Sequence, residues 1–291
     1  APEKALGQIA IGLAADADLF LTMAKLRAAR RVVTRVAEAC GAPATAAAKM
    51  SFTASTSERM MAKRDPWVNM LRTTIACAGA AFGGADAITV LPFTWALGQP
   101  DAFARRIARN THLVLQEESS AGRVIDPAHG AWYVEALTDQ LAAKAWELFQ
   151  GIEAKGGMAK ALETGFIQGE IARVAETRAK SIATRTAELT GVSAFPMLDD
   201  DGVTVSPHAP FDPIVKGGIS IAPLTPLRLA APFEALRDAA DAHKIKTGKL
   251  PQVFVAALGD PAVHSIPTTW ISNFLAAGGI EAVVSEPLHN S

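Results

Sequence analysis

Over the first hundred residues, short apolar runs alternate with long amphipathic segments, and this rhythm limits the chain to a few architectures. Residues 9–13 read as a strand, after which Leu19, Met23, Leu26, Val33 and Val36 recur at helical spacing up to Cys40 and Gly41. A second strand is expected over 50–55. After Asp65-Pro66, the positions Val68, Leu71, Ile75, Ala78 and Phe82 mark a helix that stops at Gly83-Gly84. Residues 87–91 are rich enough in β-branched side chains for a buried parallel strand. Strand, helix, strand, helix, strand is the βα repeat of a parallel α/β sheet or barrel. The second strand ends in polar residues: Thr53 and Ser55 alternate with Phe52 and Ala54, and Thr56, Ser57, Glu58 and Arg59 follow. That end of a strand is where an α/β enzyme places its chemistry.

From Asp101 onwards helix dominates. Thr138 reads as an N-cap, with Leu141, Ala145, Leu148 and Ile152 forming one stripe before Gly156-Gly157. One long helix is expected from 158 past Ile171, Val174 and Ile182, its charged residues on a solvated face. Residues 196–232 carry Pro196, Pro207, Pro210, Pro213, Pro223, Pro226 and Pro232, which makes this stretch a linker or an extended arm lying on another surface. A short helix over 232–243 precedes "KLPQVFVAALG", which opens a new βα unit: a strand with Val253 and Val255, a helix over 268–277 ending at Gly278-Gly279, and a strand over 280–284.

Composition removes several classes of function. Twenty-eight basic against twenty-nine acidic residues leave no basic footprint for nucleic acid. No apolar run reaches the roughly 18 residues of a membrane span, and the N-terminus lacks a signal-peptide pattern, so a cytoplasmic protein is expected. The start at Ala1 suggests a fragment or processed product. Cys40 and Cys77 read as buried thiols, and His112, His129, His208, His243, His264 and His289 lack metal-site spacing. Arg105, Arg106 and Arg109 with Glu117 and Glu118 suggest a helix laced with ion pairs. Asp126 and Glu135 flank "PAHGAWYV", read as a tight loop packed by Trp132 and Tyr133. No G-x-S-x-G elbow, P-loop or G-x-G-x-x-G is present.

Four segments together carry a resemblance: "AKLRAARR" (24–31), "RDPWVNMLRTT" (64–74), "RRIARNTHLVLQEES" (105–119) and "DPAHGAWYVEALTDQLAAKAWELFQGIEAKGGMAKALETG" (126–165). Their order and spacing resemble the adenosylcobalamin-dependent acyl-CoA mutases, the methylmalonyl-CoA mutase family. The resemblance covers residues 8–190 well and 250–286 loosely. It implies an α/β fold: the C-terminal part of a (β/α)8 TIM barrel, a helical connector, and the start of a flavodoxin-like cobalamin-binding-type domain. The expected divisions are 1–115 for the last three βα units, 116–195 for the connector, 196–245 for the proline-rich arm and 246–291 for the degenerate second α/β domain. The earlier strands, including the one that carries the family's catalytic histidine, are not in this sequence.

Position by position, the resemblance implies lost tools. An arginine and a serine that serve the acyl-CoA in catalytic members fall on Gln8 and Ala10. A glutamine and a glycine near the corrin fall on Ser55 and Glu58, and a glutamate facing the cofactor falls on Trp95, with a small residue at Gly98. The cobalt-ligating histidine of D-x-H-x-x-G falls on Val263 and its aspartate on Pro261, with a preceding lysine at Ala257. His264 stands one residue away as a weak candidate ligand, preceded by Asp260. The resemblance therefore implies a noncatalytic small subunit with no catalytic, substrate-binding or metal residues of its own. Its partner would be a catalytic large subunit that holds adenosylcobalamin and acyl-CoA in a heterodimer, wrapped by the arm 196–232. The alternative is a divergent catalytic acyl-CoA mutase with altered substrate.

Overall fold

The computed structural model describes residues 2–200, 202–209 and 221–288. After a short helix α1 (Pro2–Leu6), three parallel strands β1 (Ala10–Ala15), β2 (Ser51–Thr56) and β3 (Ala87–Thr89) form one sheet in the order β1-β2-β3. The crossovers are α2 (Leu19–Ala39), followed by the single turn α3 (Ala44–Ala47), and α4 (Val68–Phe82). Asp18 begins α2 as expected of an N-cap, its carboxylate accepting from Leu21 N–H.

Both crossover helices lie on one face of the sheet. Alternate strand residues reach that face, so Ala15, Ala54, Leu26, Met61, Ala76 and Ala80 share one buried cluster. Small residues let α4 approach α2: a Cβ on Gly79 would lie 3.1 Å from the Leu19 carbonyl oxygen, and one on Gly83 would lie 3.0 Å from Leu26 Cδ1. Gly83-Gly84 thus stops the helix, as its sequence suggests, and also permits the packing.

The chain continues through α5 (Ala102–Leu113), a π-helical turn (Val114–Glu118), α6 (Trp132–Ala154), α7 (Met158–Glu163), α8 (Phe166–Ala183) and α9 (Ala231–Thr247). Two parallel strands, β4 (Gln252–Val255) and β5 (Glu281–Val284), then flank α10 (Pro261–Ala277). The α/β class and the parallel strands match the sequence reading. Arg27 ties α6 to α2 by pairing with Asp126 at 2.7 Å and with Glu135 at 2.5 Å. Glu135 also accepts the Gly130 N–H, and this bond together with Arg27 holds its carboxyl below the usual carboxylate range.

Several local expectations are corrected. Thr138 caps nothing: it lies inside α6, fully buried, and its hydroxyl donates to the Val134 carbonyl at 2.7 Å. Trp132 and Tyr133 pack no loop; they begin α6 and are 90% and 65% exposed, with Tyr133 edge-on to Phe20. The long helix from 158 is two helices, broken at Gly165, whose φ of 77° is left-handed. Among the described residues Arg105, Arg106, Arg109, Glu117 and Glu118 make no ion pair; Arg105 donates to the Pro100 carbonyl instead. Helix α10 starts at Pro261, because Pro267, which looks like a breaker, is accommodated within it. Cys40 is exposed at the end of α2, whereas Cys77 is buried and its thiol pushed up to about 11 by desolvation. His289 and the stretch 210–220, with Pro210 and Pro213, lie outside the described residues.

Candidate functional site

The sheet face opposite the helices carries small and hydroxylic side chains. In register across it stand Gly12 and Thr53, then Ala14, Ser55 and Thr89. This face forms one wall of a cavity of about 1750 Å³. The opposite wall mixes apolar side chains, Leu148 of α6, Ile171, Val174 and Ile182 of α8, and Leu227 and Phe233 where the chain enters α9, with the charged residues Lys144, Glu147, Glu170 and Arg173. A sheet face without large side chains leaves this space open.

At the carboxyl ends of β1 and β2, the cavity meets charge. Ser57 caps a short 3-10 turn (Glu58–Met60), its hydroxyl accepting from Arg59 N–H, and this aims Arg59 back towards β1. The guanidinium of Arg59 pairs with Asp16 just beyond β1, and its Nε is buried without a hydrogen-bond partner. Lys25 donates its amine to the Ala14 carbonyl. Burial pulls Lys25 below the usual lysine range; Asp16 opposes that fall, and the like charges of Arg59 and Arg178 add to it. Arg178 of α8 is likewise held down by burial and by Arg59, against the pull of Asp16.

Of the positions singled out from sequence, the cavity brings together Ser55, half-buried, and Glu58, exposed at the turn. Gln8 and Ala10 lie exposed at the opposite end of β1, outside the cavity lining. Trp95 sits after β3 with its indole partly buried against the main core cluster. Val263 is 69% exposed on α10, and the neighbouring His264 has both ring nitrogens buried without a hydrogen-bond partner. Among the described residues no group of three or more His, Cys, Asp or Glu could hold a metal ion.

Sequence reasoning missed the return of the proline-rich stretch onto its own chain. Gln99 N–H donates to the Ser206 carbonyl at 2.7 Å, and His208 Nε2 lies 2.8 Å from the Trp95 carbonyl with the two rings 5.1 Å apart. Farther on, Leu229 N–H donates to the Arg59 carbonyl at 2.9 Å, and Arg228 makes a two-pronged pair with Glu234. So the described parts of 196–232 touch this chain's own strand ends. A Cβ on Gly98 would lie 2.3 Å from the Ser206 oxygen, so the glycine serves the arm's approach. Gly98→Val should therefore release residues 202–209 while leaving the sheet folded. Limited proteolysis should show faster cleavage in that stretch with unchanged circular dichroism; equal cleavage rates would count against the contact.

Known proteins resemble this chain over most of its length. Residues 1–213 match the family described as methylmalonyl-CoA mutase. The chain is 52% identical over 281 residues to the methylmalonyl-CoA mutase small subunit of Streptomyces virginiae, covering 97% of this chain and 44% of that protein. It is 41% identical over 257 residues to the small subunit of Propionibacterium freudenreichii subsp. shermanii, covering 88% and 38%. With the methylmalonyl-CoA mutase of Rhizobium meliloti (strain 1021) it shares 32% identity over 199 residues, covering 68% and 28%. The chain thus spans less than half the length of each of these relatives.

Proposed function

The chain belongs to the methylmalonyl-CoA mutase family, and we propose that it acts as a noncatalytic small-subunit chain in the cytoplasm. Its partner in that reading is a catalytic large subunit that holds adenosylcobalamin and acyl-CoA and interconverts methylmalonyl-CoA and succinyl-CoA. The observation that carries the proposal is the higher identity, over nearly the whole chain, to the S. virginiae small subunit than to the R. meliloti mutase. In this reading residues 1–115 are the last three βα units of a (β/α)8 barrel, 116–195 a helical connector, 196–245 the arm, and 246–291 the start of a flavodoxin-like domain.

The side chains here do not fit adenosylcobalamin. Val263 offers no ligating atom, and a histidine whose ring nitrogens are both buried, as in His264, is closed to an incoming metal. The Trp95 carbonyl and the space over Gly98 are taken by His208 and Ser206. What the chain supplies is surface and rigidity: the radical chemistry belongs to the cofactor, and the protein's part is enclosure and support.

Reconstitution tests the proposal. A purified large subunit of the family should turn over methylmalonyl-CoA faster, or stay active longer, when this chain is added, whereas this chain with adenosylcobalamin alone should give no turnover. Turnover by this chain alone would overturn the proposal.

A further inference from the structure

We infer that Asp65 and Asp200 form a proton-operated clasp that holds the start of the arm on the loop before α4, closed while Asp65 is neutral and loosened when both carboxylates are charged.

Three segments of the chain meet at this point. The Asp65 N–H donates to one Asp200 carboxylate oxygen at 2.8 Å, and the Gly202 N–H donates to the other at 3.0 Å. Asp200 thus fastens its own turn to a loop 135 residues earlier. Asp65 holds a left-handed φ of 46°, and its carboxylate lies against the turn at 189–194: a Cβ on Gly191 would be 2.9 Å from Asp65 Oδ2. The turn admits the carboxylate only because it has no side chain there.

The charge balance makes this meeting sensitive to a proton. The hydrogen bond that draws Asp200 in also brings two carboxylates into electrostatic contact, and among the described residues neither has an ion pair. The cations around them are engaged elsewhere. Arg72 of α4 donates to Asn69 Oδ1 and the Thr190 carbonyl, Arg237 of α9 donates to the Met197 carbonyl, and Arg64 pairs with Asp238 and Asp241 of α9. The turn 189–194 carries no charged side chain, and Asp199 beside Asp200 is one more exposed acid. Like charges without a counter-ion are relieved by neutralising one of them. Asp65 is the one placed to take the proton, because its carboxyl receives no hydrogen bond among the described residues whereas Asp200 receives two. Burial, joined by the charge of Asp200, holds Asp65 above the usual carboxylate range against the pull of Arg72.

An acid whose proton is held more tightly in the folded chain than in the unfolded one contributes its full stabilisation below the ordinary aspartate range. That contribution is lost as pH rises through the raised value. The clasp therefore tightens on the acid side, and its opening frees the span that leads to the arm's contacts at Ser206 and His208.

Hydrogen exchange of the whole chain at single-residue resolution tests this, read as protection factors so that the intrinsic pH dependence of exchange cancels. Protection of the Asp65 amide should fall about threefold or more between about pH 4 and about pH 7. Asp65→Asn puts a neutral side chain at a left-handed position that asparagine tolerates, and it should keep the acid-side protection at both pH values. His208→Gln, which takes away the arm's imidazole, should leave the pH response of the Asp65 amide as it is. Equal protection at the two pH values in the unaltered chain, a pH response that survives in Asp65→Asn, or one abolished by His208→Gln would each overturn the inference.

Discussion

Replacing Asn69 with alanine should cost about 3–5 kcal/mol of folding stability, more than any other single polar substitution in the sheet region. Asn69 lies in the first turn of α4 with no exposed surface. Its Oδ1 accepts from Ala62 N–H at 3.0 Å and from Arg72 Nη1 at 2.8 Å; its Nδ2 donates to the carbonyls of Ala62 at 2.8 Å and Phe93 at 2.9 Å. One side chain thus joins the loop after β2 to the loop after β3. Alanine leaves those backbone groups buried and unpartnered, and it takes one of the two acceptors from the Arg72 guanidinium, which burial already pulls below its usual range and which keeps the Thr190 carbonyl. Asn69→Asp keeps the acceptor but loses both donations, so it should fall between wild type and alanine. Denaturant midpoints at constant slope measure the change, and a loss under about 1 kcal/mol for Asn69→Ala would contradict this account.

The second large effect is expected at Glu234, at the start of α9. It is 3% exposed, accepts from Lys63 N–H at 2.7 Å, and takes both prongs of Arg228 at 2.7 and 2.6 Å. Glu234→Ala removes one partner of a mostly buried ion pair and leaves the other charge and an amide unsatisfied. The cost should be about 2–4 kcal/mol, at the lower side of buried pairs because Arg228 retains some contact with water. Glu234→Gln, which keeps one acceptor, should cost less. Because Arg228 also reaches the Met61 carbonyl and Leu229 bonds to Arg59, the alanine variant should also free residues 225–233 from the strand ends. Hydrogen exchange at Leu229 reads that release directly, and unchanged protection there would show that the arm is held by other contacts.

The parts of this architecture that repeat were visible in the sequence. Apolar residues at 3.6-residue spacing, with Asp65-Pro66 before the second run and glycines after both, located α2 and α4, since these signals are local. The start of α6 was hidden because Ala131 offers no capping side chain, while Thr138 mimics a cap although it bonds backwards within the helix. Thr53, Ser55 and Glu58 do stand at the polar end of β2, as the alternation in that strand suggested. What could not be read was which surface covers them. The arm binds through backbone carbonyls of Trp95, Ser206 and Arg59, and carbonyls have no letter in a sequence. Arg178 reads as one more charge on a solvated helix face; only folding sets it opposite Arg59, 119 positions away in the chain. Asp16, directly after the first strand, was the one local sign of that cluster.

The central claim, that this chain supports a mutase without holding its cofactor, is tested most directly by mixing it with adenosylcobalamin and following the visible spectrum through gel filtration. The account predicts the spectrum of free cofactor and none retained with the protein. Stoichiometric retention with an imidazole-ligated cobalt, lost in His264→Ala, would contradict it.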